Sequence, residues 1–211
     1  MTDQEVADQS ALAAAKVTLR AAVELRRASR SPDRRAADDL ARFAVASTAL
    51  ADRLPDTVAA YLPTRTEPDT LRLVAWLAAR RVRVLLPVLT DGTGNRLADP
   101  TWAPYAGPDA LRSGPRGILE PTTATLPARQ LPEAEVVVCP GLAANRHGDR
   151  LGRGGGWYDR ALGHASPSAP LWLLLNADEV LTTIPTQPWD RRVDLIVTPD
   201  GLIECEPPHP G

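Results

Sequence analysis

Five short aliphatic runs, Val58 to Tyr61, Val82 to Leu86, Val136 to Cys139, Leu171 to Leu175 and Leu195 to Val197, are each bounded by Pro, Gly or polar residues. Runs of this length, rich in Val, Leu and Ile, suit strands buried on both faces, as in a parallel sheet. Between the first two lies Thr66-Glu67-Pro68-Asp69-Thr70, a helix-start signal, followed by Leu71, Val74, Leu77 and Ala78 at helical spacing. Strand, helix, strand is a βαβ unit, whose right-handed crossover lays helices over the sheet. The expected fold is therefore α/β: a single three-layer αβα domain with a mostly parallel sheet of about five or more strands and an N-terminal helical pair.

In that pair, Leu12, Leu19 and Val23 recur near the helical period after Ser10, the candidate N-cap, and Lys16 and Arg20 lie one turn apart. Ser31-Pro32-Asp33 supplies the next cap, and Ala36, Leu40, Phe43, Ser47, Leu50 and Leu54 keep the 3.6-residue period. From Thr90 to Arg129 the chain is rich in Pro and Gly and reads as an irregular excursion, with Asp91-Gly92-Thr93-Gly94-Asn95 as a hairpin or loose turn. Residues 1–9 are expected to be flexible, 10–206 to form the domain, and 207–211 to fray.

Length and charge narrow the function. A chain of 211 residues fits one domain, and none of its apolar stretches approaches the roughly 20 residues needed to span a bilayer. Met1 to Asp8 carries three acids and no basic or apolar region of a secretory signal, so the expected compartment is the cytoplasm. Cys139 and Cys205 make neither a disulfide framework nor a zinc site by spacing. With 24 basic and 26 acidic residues, one Phe and three Tyr, the chain lacks the charge and stacking platforms of a nucleic-acid binder. One asymmetry stands out: of the 24 basic residues only Lys16 is a lysine. Where a compact ammonium must meet a phosphate as a point charge, Arg and Lys are not equivalent. A surviving surface lysine is the plain alternative.

The densest chemical signal is Gly148-Asp149-Arg150-Leu151-Gly152-Arg153-Gly154-Gly155-Gly156-Trp157-Tyr158-Asp159-Arg160. Four glycines in positions 152–156 let the backbone approach a ligand and aim amide N–H groups at it, as phosphate-cradling loops do. Arg150 and Arg153 add charge-assisted donors. Lying between a strand and the short helix Trp157 to Leu162, the loop belongs at the carboxyl edge of the sheet. It is neither a Walker loop nor a G-x-G-x-x-G fingerprint. Asp159 suits a helix cap or a local pair with Arg160, and equally a hard cation such as Mg2+, which prefers one or two carboxylates plus phosphates. By position, Asp190 is a candidate second carboxylate, and spacing does not separate it from Asp178 or Asp194.

Cys139-Pro140-Gly141-Leu142-Ala143 followed by the glycine loop resembles the signature of the 5-formyltetrahydrofolate cyclo-ligases, also called methenyltetrahydrofolate synthetases. Further matches follow in the family's order: Lys16 with Arg20, Ala60-Tyr61-Leu62-Pro63 with Glu67-Pro68-Asp69-Thr70, Leu85-Leu86-Pro87-Val88, Gly117-Ile118-Leu119-Glu120-Pro121, and Ile184 to Asp190. The resemblance implies ATP- and Mg2+-dependent closure of 5-formyltetrahydrofolate to 5,10-methenyltetrahydrofolate by a cytoplasmic monomer. It implies ATP contacts from Lys16, Arg20, Arg150, Leu151, Gly152, Arg153, Gly154, Gly155, Gly156, Trp157 and Tyr158. Folate contacts would come from Glu67 and from Arg153 to Trp157, metal ligation from Asp159 and Asp190, and catalysis from Lys16, Arg153 and Asp159.

Three positions depart from the family pattern: Trp189 replaces a usual His, Trp157 a usual Tyr, and Asn145 a common Asp. Of the chain's three histidines, His147, His164 and His209, only His147 lies near the loop, and a surface role suits it better. The alternatives are a diverged nucleotide or folate binder without turnover, and a phosphosugar isomerase on a related sheet.

Overall fold

The computed structural model describes residues 2–187 and 190–206, so Trp189 and the 207–211 tail lie outside the described residues. Four α-helices, α1 (Asp3–Ser29), α2 (Pro32–Ala51), α3 (Leu71–Ala79) and α4 (Trp157–Leu162), accompany a large sheet. Its strands are β1 (Thr57–Ala59), β2 (Arg83–Thr90), β3 (Arg96–Pro104), β6 (Leu126–Pro127), β7 (Val136–Cys139), β10 (Leu171–Leu174), β11 (Leu195–Thr198) and β12 (Gly201–Glu204). Two small hairpins interrupt the series, β4 (Leu111–Ser113) with β5 (Leu119–Pro121) and β8 (Ala143–Ala144) with β9 (Arg150–Leu151).

The eight-stranded order is β12-β11-β10-β7-β1-β2-β3-β6. The five strands expected from the aliphatic runs form its parallel centre, and antiparallel β3, β6 and β12 close its edges. Period-2 alternation sorts the central side chains between two cores. Val58, Val84, Leu86, Val136, Val138, Trp172 and Leu174 pack under α2 and α3 through Ala46, Leu50, Leu73, Val74 and Leu77. Ala59, Leu85, Val137, Cys139, Leu171 and Leu173 face Ala161 and Leu162 of α4 on the other side. These are the three expected layers. Cys139 and Cys205 are free thiols, and burial raises the pKa of both.

Three local expectations are corrected. Helix α1 starts at Asp3, so Ser10 lies inside it and is no cap. Leu40 is 55% exposed, while Asp38, Arg42, Ala46 and Leu50 form the buried stripe of α2. The stripe is rotated because Arg42 turns inward, donating to Leu175 O and Asn176 Oδ1 at 3.0 and 2.8 Å. The excursion after Thr90 contains β3, paired with β2 through a hairpin whose turn is Asp91 to Asn95. By contrast, Ser31 caps α2 as its sequence requires, accepting from Arg34 N.

Helix α1 does not lie over a sheet face. Val23 packs with Leu142, Ala143, Leu151 and Ile184, beyond the carboxyl end of β7. Arg27, 1% exposed, donates to both carboxylate oxygens of Glu179 at 2.7 Å and to Gly141 O at 2.8 Å. Glu179 in turn accepts from the backbone and side-chain nitrogens of Asn176. This buried network moors both N-terminal helices to the carboxyl ends of β7 and β10. Among the described residues, no helix is long and apolar enough to cross a membrane.

Candidate functional site

The chain runs from β1 to β2 on one side and later returns to β7 on the other, so strand order reverses at β1. Open α/β sheets bind ligands beyond the carboxyl ends of the strands at such a point. A cavity of about 290 Å3 lies there, lined by Tyr61 and Leu62 after β1, Pro87 and Leu89 of β2, and Pro140 and Gly141 after β7. Thr64, Glu67, Arg96, Ile118 and Arg150 with Gly152 to Asp159 complete the lining. A larger cleft of about 690 Å3, lined by Arg146, His147 and residues of β12, contains none of the expected site residues. His147 is exposed there, as a surface histidine.

The glycine loop owes its path to backbone geometry. Gly154 and Gly156 have φ of +86° and +66°, where other residues are strained. A side chain on Gly154 would press the Arg20 guanidinium, 3.2 Å away, and Arg20 Nε donates to Gly152 O at 2.9 Å. Gly148 is tighter still, since a Cβ there would collide with Val193 O. Asn145, 4% exposed, organises the preceding turn: its Oδ1 accepts from His147 N and Asp149 N, and its Nδ2 donates to Asp149 Oδ2. An amide can donate and accept at once, which an ionised Asp cannot. The departure at Asn145 is thus accommodated by the turn itself.

Charged groups meet in pairs. Arg153 Nε lies 3.0 Å from Glu67 Oε1, tying the loop across the cavity to the segment before α3, and Glu67 Oε2 accepts from Thr64 N at 2.7 Å. Arg153 also reaches Thr66 Oγ1 at 3.3 Å and Glu24 of α1 at 3.7 Å. Arg150 is buried and donates to Asp159 Oδ1 at 2.7 Å. Lys16 Nζ donates to Asp190 Oδ2 at 2.8 Å, and Gln187 N donates to the same oxygen at 2.9 Å. Lys16, Arg20, Leu151 and Asp190 lie outside the cavity lining: the first two flank the loop from α1, and the Leu151 side chain is core. The expected residues therefore gather in two adjoining places, a cavity under the loop and a charged flank formed by α1 with Gln187 and Asp190.

Trp157 stacks edge-on against Trp102 and Tyr158, with centroids 5.2 and 4.8 Å away. Its indole fills the space between the loop and β3. Tyr158 Oη is buried without a hydrogen-bond partner among the described residues, and desolvation raises its pKa well above 10.0. The hydroxyl of the buried Tyr61 differs in donating to Pro68 O at 2.7 Å. Sequence reasoning missed the cavity wall made by Pro87, Leu89, Arg96 and Ile118. Pro87 and Ile118 lie in quoted motifs, but Leu89 falls just beyond the recognised run of β2 and Arg96 carries no local signal.

Such a site matches known relatives. The family model of the 5-formyltetrahydrofolate cyclo-ligase family matches residues 12–199. A 5-formyltetrahydrofolate cyclo-ligase of Mycolicibacterium smegmatis is 38% identical over 143 residues, covering 68% of this chain and 73% of the relative. That of Escherichia coli is 29% identical over 150 residues, covering 70% and 80%. In fold, the chain is similar to the 5,10-methenyltetrahydrofolate synthetase of Aquifex aeolicus, with a TM-score of 0.76, 23% identity and coverage of 93% and 95%. The synthetase of Mycoplasma pneumoniae gives a TM-score of 0.68 at 20% identity, covering 87% and 98%. With its order of motifs, its sheet and a family match over most of its length in agreement, this chain belongs to the 5-formyltetrahydrofolate cyclo-ligase family.

Proposed function

We propose that the protein closes 5-formyltetrahydrofolate to 5,10-methenyltetrahydrofolate at the expense of ATP, with Mg2+, releasing ADP and phosphate. The observation that carries this reading is the Arg153–Glu67 bridge, which draws the glycine loop over the switch-point cavity and makes one arginine common to loop and cavity. The folate occupies the cavity, with Glu67 and residues 153–157 against it. ATP lies along the flank, where Lys16, Arg20 and the loop amides supply positive charge and donors.

In this reaction the formyl oxygen attacks the γ-phosphorus, and the bond from phosphorus to the ADP oxygen breaks. N10 of the same substrate then bonds to the activated carbon and loses its proton, and the carbon–oxygen bond breaks to release phosphate. The nucleophiles belong to the substrate, so the protein's task is alignment and neutralisation of charge. Lys16 offers a point charge, Arg153 spans both ligands, and the aromatic wall of Tyr61, Trp157 and Tyr158 keeps water from the phosphorylated intermediate.

The residues present fit a hard cation. Asp159 Oδ2 and Asp190 Oδ1 accept no hydrogen bond among the described residues, while their partner oxygens are held by Arg150 and Lys16. Among the described residues no group of three or more acidic, His or Cys side chains gathers, so an ion held by Asp159 and Asp190 would complete its shell with phosphate oxygens and water, as Mg2+ prefers. When bound, Mg2+ would supply neutralisation of the polyphosphate charge. Family membership sets the isomerase alternative aside, and Asn145, explained by its turn, gives no support to a binder without turnover. The test is the absorbance of methenyltetrahydrofolate: it should grow only when ATP and Mg2+ are both present. Growth at the same rate without ATP would overturn the mechanism.

A further inference from the structure

The cavity lining carries five ionisable side chains of the ordinary charged types, three arginines and two carboxylates. Arg153 is paired with Glu67 and Arg150 with Asp159. Arg96 is the remaining cation, and among the described residues it has no hydrogen-bond or ion-pair partner. Its surroundings are not those of a stray surface arginine. Pro87 is buried, Leu89 and Ile118 are half-buried, and Arg96 is exposed, so this wall of the cavity runs from a dry apolar interior to a charge at the mouth.

The base beneath Arg96 is rigid. Arg96 pairs in register with Thr90, across the irregularity between Val88 and Thr90 of β2. Glu120, 0% exposed, holds that irregularity by accepting from Leu89 N at 2.7 Å and Thr90 Oγ1 at 2.6 Å. Arg112 Nη2 donates to Thr90 O and Asp91 O on the same turn. The Asp91 carboxylate gathers donors from Thr93 and Asn95, which lower its pKa to about 2. A buried carboxylate and an ordered turn thus hold the backbone from which the unpaired guanidinium extends.

Resting on the folate reading of this cavity, we propose that Arg96 receives a carboxylate of the substrate's glutamyl end and sets the preference for glutamylated folates. The substrate's chemistry follows the same sequence as the wall: an uncharged aromatic ring, then a carboxylate that a guanidinium binds through paired charge-assisted donors. A phosphate of ATP is the less fitting occupant. Lys16, Arg20 and the Arg153–Glu24 contact mark the α1 side of the loop, whereas Arg96 belongs to the β2–β3 hairpin.

The experiment compares 5-formyltetrahydrofolate with 5-formyltetrahydropteroate, which lacks the glutamate, as substrates and as ligands in equilibrium binding. Variants are Arg96→Gln, Arg96→Lys and, as a control for bulk charge, Arg129→Gln, which replaces an exposed arginine outside the cavity lining. Arg96→Gln should raise the KM and Kd for the folate about tenfold, a loss equivalent to roughly 1.4 kcal/mol. It should leave the pteroate values, the KM for ATP and kcat within about twofold, and Arg96→Lys should restore part of the loss. Equal effects on folate and pteroate, an effect confined to ATP, or none at all would each overturn the assignment while leaving the cyclo-ligase reading intact. Wild-type protein that neither binds nor converts 5-formyltetrahydrofolate would overturn both.

Discussion

Lys16 shows how little of a residue's role resides in its neighbours in sequence. Its partner Asp190 stands 174 positions away, and both side chains keep some exposure, at 13% and 22%. Lys16→Arg keeps the charge of this part-buried pair, so it should leave Tm nearly unchanged. If the ammonium serves ATP as a point charge, the same variant should lower kcat/KM for ATP by about tenfold or more. Thermal melts and ATP kinetics on one preparation separate the two effects, and unchanged kinetics would return Lys16 to the role of a surface clasp. Two tyrosines with buried hydroxyls allow a second comparison. Tyr158→Phe removes a hydroxyl without a partner and should leave stability unchanged or raise it by about 1 kcal/mol, whereas Tyr61→Phe loses a bond and should cost about as much. Because an unpaired buried hydroxyl beside the loop suits a ligand contact, Tyr158→Phe should still reduce kcat/KM, and chemical denaturation alongside steady-state kinetics checks both halves.

At the scale of elements, the site depends on how α1 and the glycine loop are held. Arg27 and Glu179 are each 1% exposed, and removing one leaves a buried charge unpaired. Glu179→Ala should therefore destabilise the protein by about 3 to 5 kcal/mol and speed amide exchange in α1, measured by denaturant melts and hydrogen exchange. Exchange confined to other elements would show that the network does not moor the helix. Asp159 lies in the first turn of α4 and Asp190 follows Gln187, to whose carbonyl its amide donates, so a shared ion would couple two separate parts of the chain. Asp159→Asn and Asp190→Asn should each raise the Mg2+ concentration needed for half-maximal rate, with the double variant less than additive. Fully additive effects in Mg2+ titrations would argue against a common ion. The glycine loop was legible because its glycines and arginines are contiguous. The mooring of α1 was not, because Arg27 and Glu179 look like ordinary surface charges until the fold brings them 152 positions together.

For the molecule as a whole, sequence legibility followed burial. The five central strands are buried on both faces and announce themselves as aliphatic runs, whereas β3 is largely exposed over its first half and β12 has no fully buried residue. Their pattern was lost among the prolines and turns of the 90–129 segment and in the acidic C-terminal stretch. The rotated stripe of α2 failed for a related reason: a hydrophobic period says nothing of an arginine turned inward to meet a strand end. The family signature, by contrast, needs no long-range knowledge, since its residues lie in one contiguous loop. What the fold adds is the switch-point cavity, the flank beside it and the arginine they share, which together point to phosphoryl transfer onto a bound folate. The most direct measurement of that claim uses 5-formyltetrahydrofolate carrying 18O in its formyl group, with ATP, Mg2+ and the purified protein. Mass spectrometry of the products should find the label in inorganic phosphate, one atom for each methenyltetrahydrofolate formed; label in water or formate, with unlabelled phosphate, would contradict the account.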